Sequence, residues 1–155
     1  MGVEDRAGES DLAAKVTAME ARIRPLDKVL VAYSGGVDSS LVLEVAHRVL
    51  GAGCVGVIGR SPSLPAAELA AAVHTARERG IAVRTIDTEE LQVEGYAVNG
   101  NDRCYFCKAE LYGRLVELAA ETGARAVLDG FNRDDRGDWR PGRAAAAECD
   151  VISPL

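Results

Sequence analysis

Seven consecutive residues, Ser34-Gly35-Gly36-Val37-Asp38-Ser39-Ser40, lie between an apolar run, Val29-Leu30-Val31-Ala32-Tyr33, and a segment with helical spacing, Leu41-Val42-Leu43-Glu44-Val45-Ala46. The pattern reads as a buried strand, a glycine turn and a helix start. Such a junction aims several backbone N–H groups and the positive end of a helix at one point, which suits an anion. Gly35 and Gly36 let a phosphate approach the backbone, and Ser34 and Ser39 offer hydroxyl donors. Asp38, in the first helical turn, is placed to face a magnesium ion. Two common nucleotide loops are excluded. The loop of P-loop NTPases needs a lysine after its last glycine, where this chain has Val37, and the dinucleotide fingerprint needs a third glycine, where it has Ser39 and Ser40. The bland alternative is a turn that only joins strand to helix.

Two further segments carry chemistry. Arg103-Cys104-Tyr105-Phe106-Cys107-Lys108 opens a helix and puts two thiols on one face, where the helix dipole favours thiolates. Half of a zinc site, a redox pair and iron–sulfur ligation all fit this spacing, as do two thiols packed under a helix. Closed zinc needs four ligands, and Cys149 supplies a third thiol but no fourth is evident. Three thiolates suit a 4Fe–4S cluster with one open iron. From Asp129 to Arg143 the chain carries the carboxylates Asp129, Asp134, Asp135 and Asp138 and the arginines Arg133, Arg136, Arg140 and Arg143. At a strand end, carboxylates hold magnesium and arginines hold phosphate or a substrate carboxylate. A solvated charged loop is the alternative. Cys54 lies in a buried-strand pattern and reads as a core residue, while His47 and His74 read as surface or packing residues.

The elements that must position these groups follow from periodicity and breakers. A helix is expected over 10–24, capped by Ser10 and ended by Pro25. Strands are expected at 28–33, 55–58, 81–86 and 126–128, with a final strand-like piece at 151–152. Helices are expected from the glycine turn to about Leu50, over 65–79, and from about Tyr105 to Thr122. This alternation implies an α/β domain spanning 1–155: three α/β/α layers around a parallel five-stranded sheet, Rossmann-like. Ligands of such sheets lie at the carboxyl ends of the strands, where strand order reverses. The glycine turn, Ser61 and Asp129-Gly130 are therefore expected to face one crevice. With 155 residues the chain can bury a core. The net charge of −6 argues against broad nucleic-acid binding and requires any anion site to be local. No apolar run reaches the ~20 residues of a membrane span. The acidic opening lacks a secretory pattern, so a cytoplasmic location is expected.

Ser34–Ser40 resembles the PP-loop of the ATP pyrophosphatases, which include NAD, GMP and asparagine synthetases and tRNA-thiolating enzymes. These adopt the adenine-nucleotide alpha-hydrolase-like fold and split ATP into AMP and pyrophosphate. The whole order is more specific. SGGVDSS, then Asn99 upstream of RCYFCK, then DGFNRDD, DWRPG, AAAEC and SPL together resemble the LarE family of ATP-dependent sulfur transferases. That resemblance implies adenylation of the carboxylates of pyridinium-3,5-biscarboxylic acid mononucleotide and replacement of an oxygen by sulfur, a step towards the nickel-pincer nucleotide cofactor of lactate racemase. It implies ATP and magnesium as cofactors, a small-molecule nucleotide substrate, and a homo-oligomer in the full-length protein.

Residue by residue, it implies nucleotide binding by Ala32, Ser34, Gly35, Gly36, Val37, Asp38, Ser39, Ser40, Ser61, Gly130, Asn132, Asp134, Asp135 and Arg140. It makes Asp38 catalytic and a magnesium ligand, and Cys149 the sulfur donor. Cys149 either gives up its own sulfur or joins Cys104 and Cys107 in holding a 4Fe–4S cluster that transfers an added sulfide. Ile152 stands where the family usually carries a basic residue, and the family's C-terminal region is expected to follow Leu155. Competing readings are another PP-loop ligase or tRNA thiolase, or a non-catalytic adenine-nucleotide-binding module.

Overall fold

The computed structural model describes the backbone of residues 4–88, 103–131 and 149–155, and the side chains of 8–88, 108–131 and 149–155. In chain order the elements are α1 (Glu4–Ile23), β1 (Val29–Ala32), α2 (Val37–Leu50), β2 (Cys54–Arg60), α3 (Ala66–Glu78), β3 (Val83–Asp87), α4 (Arg103–Thr122) and β4 (Ala126–Leu128). Short 3₁₀ turns follow α1 and α2.

All strand pairs are parallel, in the order β3-β2-β1-β4. An isolated parallel bridge between Leu128 and Ile152 occupies the expected fifth position, beside β4. β1 is central because both of its faces are apolar. Val29, Val31 and Tyr33 point into one core with α1, α2 and α3. Leu30 and Ala32 point into a second core with Tyr112, Leu115, Leu118 and Ala119 of α4. A strand alternates faces every residue, so a continuous apolar run is what a doubly covered strand requires. Each fully buried Leu or Val contributes about 1.5–3 kcal/mol of transfer free energy, and Leu30, Leu43, Leu115 and Leu128 are all of this kind.

Several boundaries differ from the sequence expectation by a residue or two, β2 for example running on to Arg60, and two differences have a clear local cause. Ser10 does not cap α1, which begins at Glu4. Nothing before Ser10 stops a helix except Gly8, and one interior glycine costs only about 1 kcal/mol. β3 begins at Val83 rather than Ile81. Ile81 closes the preceding helix instead: its N–H donates to Ala76 O (3.0 Å), Gly80 N–H donates to Arg77 O (3.0 Å), and Gly80 has φ +71°. This paired bond set caps a helix through a left-handed glycine followed by a buried apolar residue, and Ile81 is buried.

Cys54 is a core residue, as expected, and burial pushes its thiol up to about 12. His74 is exposed and reaches the Glu78 carboxylate at 3.3 Å. His47 is half-buried, and its Nδ1 is enclosed without a hydrogen-bond partner among the described residues. Among the described residues, no helix is long and apolar enough to cross a membrane.

Candidate functional site

The sheet order places β2 and β3 on one side of β1 and β4 on the other. Strand order thus reverses between β1 and β4, and a cleft opens there at the carboxyl ends, as open α/β sheets dictate. The cleft holds about 370 Å³. Ala32, Ser34, Gly36, Val37, Asp38 and Ser39 line one wall, Asp129, Gly130 and Phe131 another, and Lys108, Leu111 and Tyr112 of α4 a third.

The glycine turn is braced from within. Gly36 N–H donates to Ser34 Oγ (3.3 Å), and Ser34 N–H donates to Ser39 Oγ (3.2 Å). Ser39 Oγ donates to Gly36 O (3.3 Å), so the Ser34 hydroxyl is the donor in the 3.0 Å contact between the two serines. Both hydroxyls expected to face a ligand therefore hold the loop's shape. Gly35 has φ +84°, and a Cβ there would lie 3.1 Å from Ala72 Cβ, so glycine is needed for conformation and for space. Tyr33 fixes the strand end: its N–H donates to Val57 O (3.0 Å) and its hydroxyl to Ala72 O (3.1 Å). Gly36, the N-cap of α2, makes no side-chain cap bond. The first turn of α2, with its positive dipole end, therefore opens on the cleft. Val37 is 85% exposed, which no packing role explains.

The loop after β4 is pressed onto this turn. A Cβ on Gly130 would lie 2.6 Å from Ser39 N and 2.9 Å from Asp38 C and Ser39 Cα. Only glycine permits that approach. Next to it, Asp129 is 3% exposed. Its Oδ2 accepts from Tyr112 Oη (2.8 Å), and its Oδ1 accepts from Ser153 Oγ (2.5 Å) and Phe131 N–H (3.2 Å). Lys108 Nζ stands 5.8 Å from the Tyr112 ring centroid, within cation–π range, and is the one cation among the described residues of the cleft lining.

The structure brings Ala32, Ser34, Gly36, Val37, Asp38, Ser39 and Gly130 together in the cleft. Gly35 and Ser40 line a second groove behind the loop, between α2 and α3. Ser61 lies at the end of β2 and shares a 2.8 Å hydroxyl contact with Ser63; it does not line the cleft. Cys149 is half-buried against the core on the α4 side. Cys104 and Cys107 fall in the first turns of α4. Their side chains, like Asn132, Asp134, Asp135 and Arg140, lie outside the described residues. Among the described residues no group of three or more His, Cys, Asp or Glu side chains forms a metal site. Sequence reasoning did not assign roles to Lys108, Tyr112, Phe131 and Ser153. Lys108, Phe131 and Ser153 lay within the motifs RCYFCK, DGFNRDD and SPL, whereas Tyr112 carried no signal.

No family model matches the chain. It is 44% identical over 144 residues to an uncharacterised protein of Synechocystis sp., a match covering 93% of this chain and 54% of that one. It is 37% identical over 145 residues to the pyridinium-3,5-bisthiocarboxylic acid mononucleotide synthase of Lactiplantibacillus plantarum, covering 93% and 52%. The chain thus spans about half the length of these curated relatives. Among solved structures it is similar to an NH3-dependent NAD synthetase from Campylobacter jejuni, with a TM-score of 0.73 and 18% identity over 92% of this chain and 66% of that one. That likeness shows the fold, a parallel sheet covered by helices on both faces. Sequence relation and fold agree: over about half of that synthase's length this chain is its homologue, and it has the fold of the PP-loop enzymes.

Proposed function

We propose that this chain is the nucleotide-activating part of an ATP-dependent sulfur transferase acting on pyridinium-3,5-biscarboxylic acid mononucleotide. The observation that carries this reading is the contact of Gly130 with the first turn of α2. It builds a phosphate-sized cleft at the strand-order reversal, in a chain 37% identical to a synthase of the bisthiocarboxylic acid mononucleotide.

The cleft fits a triphosphate. Gly35 and Gly36 leave the backbone open, and the uncapped α2 terminus supplies a positive dipole end. The described lining carries two carboxylates, Asp38 and Asp129, against the single cation Lys108. A triphosphate therefore needs a divalent cation to enter. Asp38, exposed in the first turn, offers the hard oxygen donor that magnesium takes.

In the reaction, a substrate carboxylate oxygen attacks the α-phosphorus and pyrophosphate leaves. Lys108, across the cleft from the loop, offsets the repulsion between the approaching carboxylate and the phosphate. The acyl-adenylate then meets a sulfur nucleophile, and AMP leaves from the carbonyl carbon. A thiolate is required, because a neutral thiol is a poor nucleophile. Cys149 is assigned that part. When Cys149 gives its own sulfur, the thioester breaks at Cβ–Sγ with loss of the Cα proton. The thiocarboxylate departs and dehydroalanine remains. The spacing of Cys104 and Cys107 at the start of α4, with Cys149 on the same side of the sheet, also suits thiolate ligation of a 4Fe–4S cluster. Held there, such a cluster would supply an added sulfide.

The test is pyrophosphate release from magnesium-ATP with the biscarboxylic acid mononucleotide, in the chain extended to the length of its relatives. Release that depends on the mononucleotide is expected. Release without it, or none with it, overturns the reading. Iron and acid-labile sulfide content, with the mass of the Cys149 peptide after turnover, separates the two sulfur sources.

A further inference from the structure

The segment that carries Cys149 is tied to the nucleotide cleft through one buried carboxyl group. Asp129 directly follows β4 and lines the cleft. Its own N–H donates to Ile152 O (3.0 Å), and Ile152 N–H donates to Val127 O (2.9 Å). Its side chain then accepts from Ser153, four positions after Cys149, from Tyr112 on α4, and from the Phe131 backbone. Gly130, the next residue, lies on the PP-loop turn at Ser39. One residue thus joins three parts that the chemistry must bring together: the turn that holds phosphate, the α4 wall, and the strand-like piece that follows the sulfur-bearing cysteine.

A carboxyl group buried to this extent needs its acceptors filled, and here they are filled from three elements rather than one. A loop stabilised only for its own sake would be served by the local Phe131 bond, the usual Asx turn. The bonds to Tyr112 and Ser153 span 17 and 24 residues and do nothing for local geometry. We propose that Asp129 is a positioning residue. Through Ser153 it holds the Cys149 segment at a fixed register against the nucleotide cleft, so that sulfur meets the activated carbonyl. This rests on the sulfur-transferase reading above. Reactions between groups held in line lose large factors when the alignment slips by an ångström, whereas ATP binding and adenylation use the PP-loop side and do not need the Ser153 bond.

The test compares wild type with Ser153→Ala, which removes the hydroxyl that reaches Asp129, and Ser153→Thr, which keeps one. Pyrophosphate release and thiocarboxylate formation are measured together on the biscarboxylic acid mononucleotide, and amide hydrogen exchange is read at Asp129 and Ile152. Ser153→Ala is expected to keep pyrophosphate release within about twofold. It should lose at least tenfold in sulfur transferred per pyrophosphate and at least tenfold in protection at both amides. Ser153→Thr should restore both, and amides of Leu43 to Ala46 in α2 should not change in either variant. An unaltered sulfur-to-pyrophosphate ratio in Ser153→Ala, or a parallel fall of both products, overturns the proposal. So does unaltered protection at Asp129 and Ile152, whatever the activity. Absence of pyrophosphate release in the wild type points instead at the function proposed above, and the exchange data then decide the latch by themselves.

Discussion

Gly130→Ala is the most direct probe of how the cleft is built. The added methyl would lie 2.6 Å from Ser39 N, about 0.8 Å short of the 3.4 Å at which ordinary contact begins. The three nearest atoms are all backbone of Asp38 and Ser39, so no side chain can swing away. Either the β4 loop backs off or the first turn of α2 shifts. Overpacking of this kind costs about 1–3 kcal/mol. Borne by the free protein, that cost lowers the melting temperature by about 2–12 °C for a chain of this size. Borne by the phosphate-binding geometry, it weakens nucleotide affinity by about 5- to 150-fold. Thermal unfolding by circular dichroism and calorimetric titration with a non-hydrolysable ATP analogue in magnesium divide the cost between the two. Gly113→Ala is the control. It lies within α4, a Cβ there meets nothing within 4 Å, and the change should stabilise the helix by about 1 kcal/mol with affinity unaltered. If Gly130→Ala melts and binds as wild type does, the loop and the turn are not packed as described, and the cleft loses the wall formed by Asp129, Gly130 and Phe131.

The remaining predictions concern single groups. Asp38→Ala should reduce magnesium-dependent pyrophosphate release at least tenfold while shifting the melting temperature by no more than about 2 °C; equal release in mutant and wild type contradicts its assignment. Cys149→Ala should abolish thiocarboxylate formation and leave pyrophosphate release within about twofold, read by mass spectrometry of the mononucleotide. Continued sulfur transfer sinks the central assignment. Burial pushes the Cys54 thiol from its ordinary 9.0 up to about 12. Between those values the unfolded chain releases a proton that the folded chain keeps, so this group's contribution to stability falls as pH rises. It is constant below about 8 and then declines by up to about tenfold in the folding constant per pH unit. Urea unfolding of wild type and Cys54→Ala from pH 7 to 11 should show wild type losing ground to the variant only above pH 9. A constant difference up to pH 11 contradicts a buried, neutral thiol.

What the sequence revealed and what it hid divide along the range of the interactions. The PP-loop was legible because its physics is local. Seven adjacent residues hold the turn, its braces and the helix start, and the Ser34, Gly36 and Ser39 bonds close within five positions. The parallel sheet was legible because apolar runs mark β1, β2 and β4 and glycines punctuate the connections between elements. The isolated bridge at Ile152 stands where a fifth strand was expected. Ile81 was misplaced because an apolar residue after Gly80 serves a strand and a helix cap equally well, and only the bonds to Ala76 and Arg77 decide. The Asp129 hub was hidden for the opposite reason. Its partners come from α4 and from the segment after Cys149, and no periodicity ties Tyr112 to Ser153. The orientation of Ser61 was likewise a matter of tertiary choice: its hydroxyl found Ser63 nearby.

The charge balance explains why the site takes this form. A chain of net charge −6 cannot attract a triphosphate by its overall field. The described cleft wall repeats the problem, since Asp38 and Asp129 outnumber Lys108. Among the described residues of that wall, what is left is dipole and metal. The α2 terminus offers about half a positive charge without a counter-charge of its own, at the one place where strand order reverses and no crossover blocks the approach. On the function proposed above, a magnesium ion brought by the nucleotide would turn the Asp38 carboxylate from a repulsive group into a ligand. The same arrangement would then select against phosphate alone, because an anion without its metal meets a carboxylate.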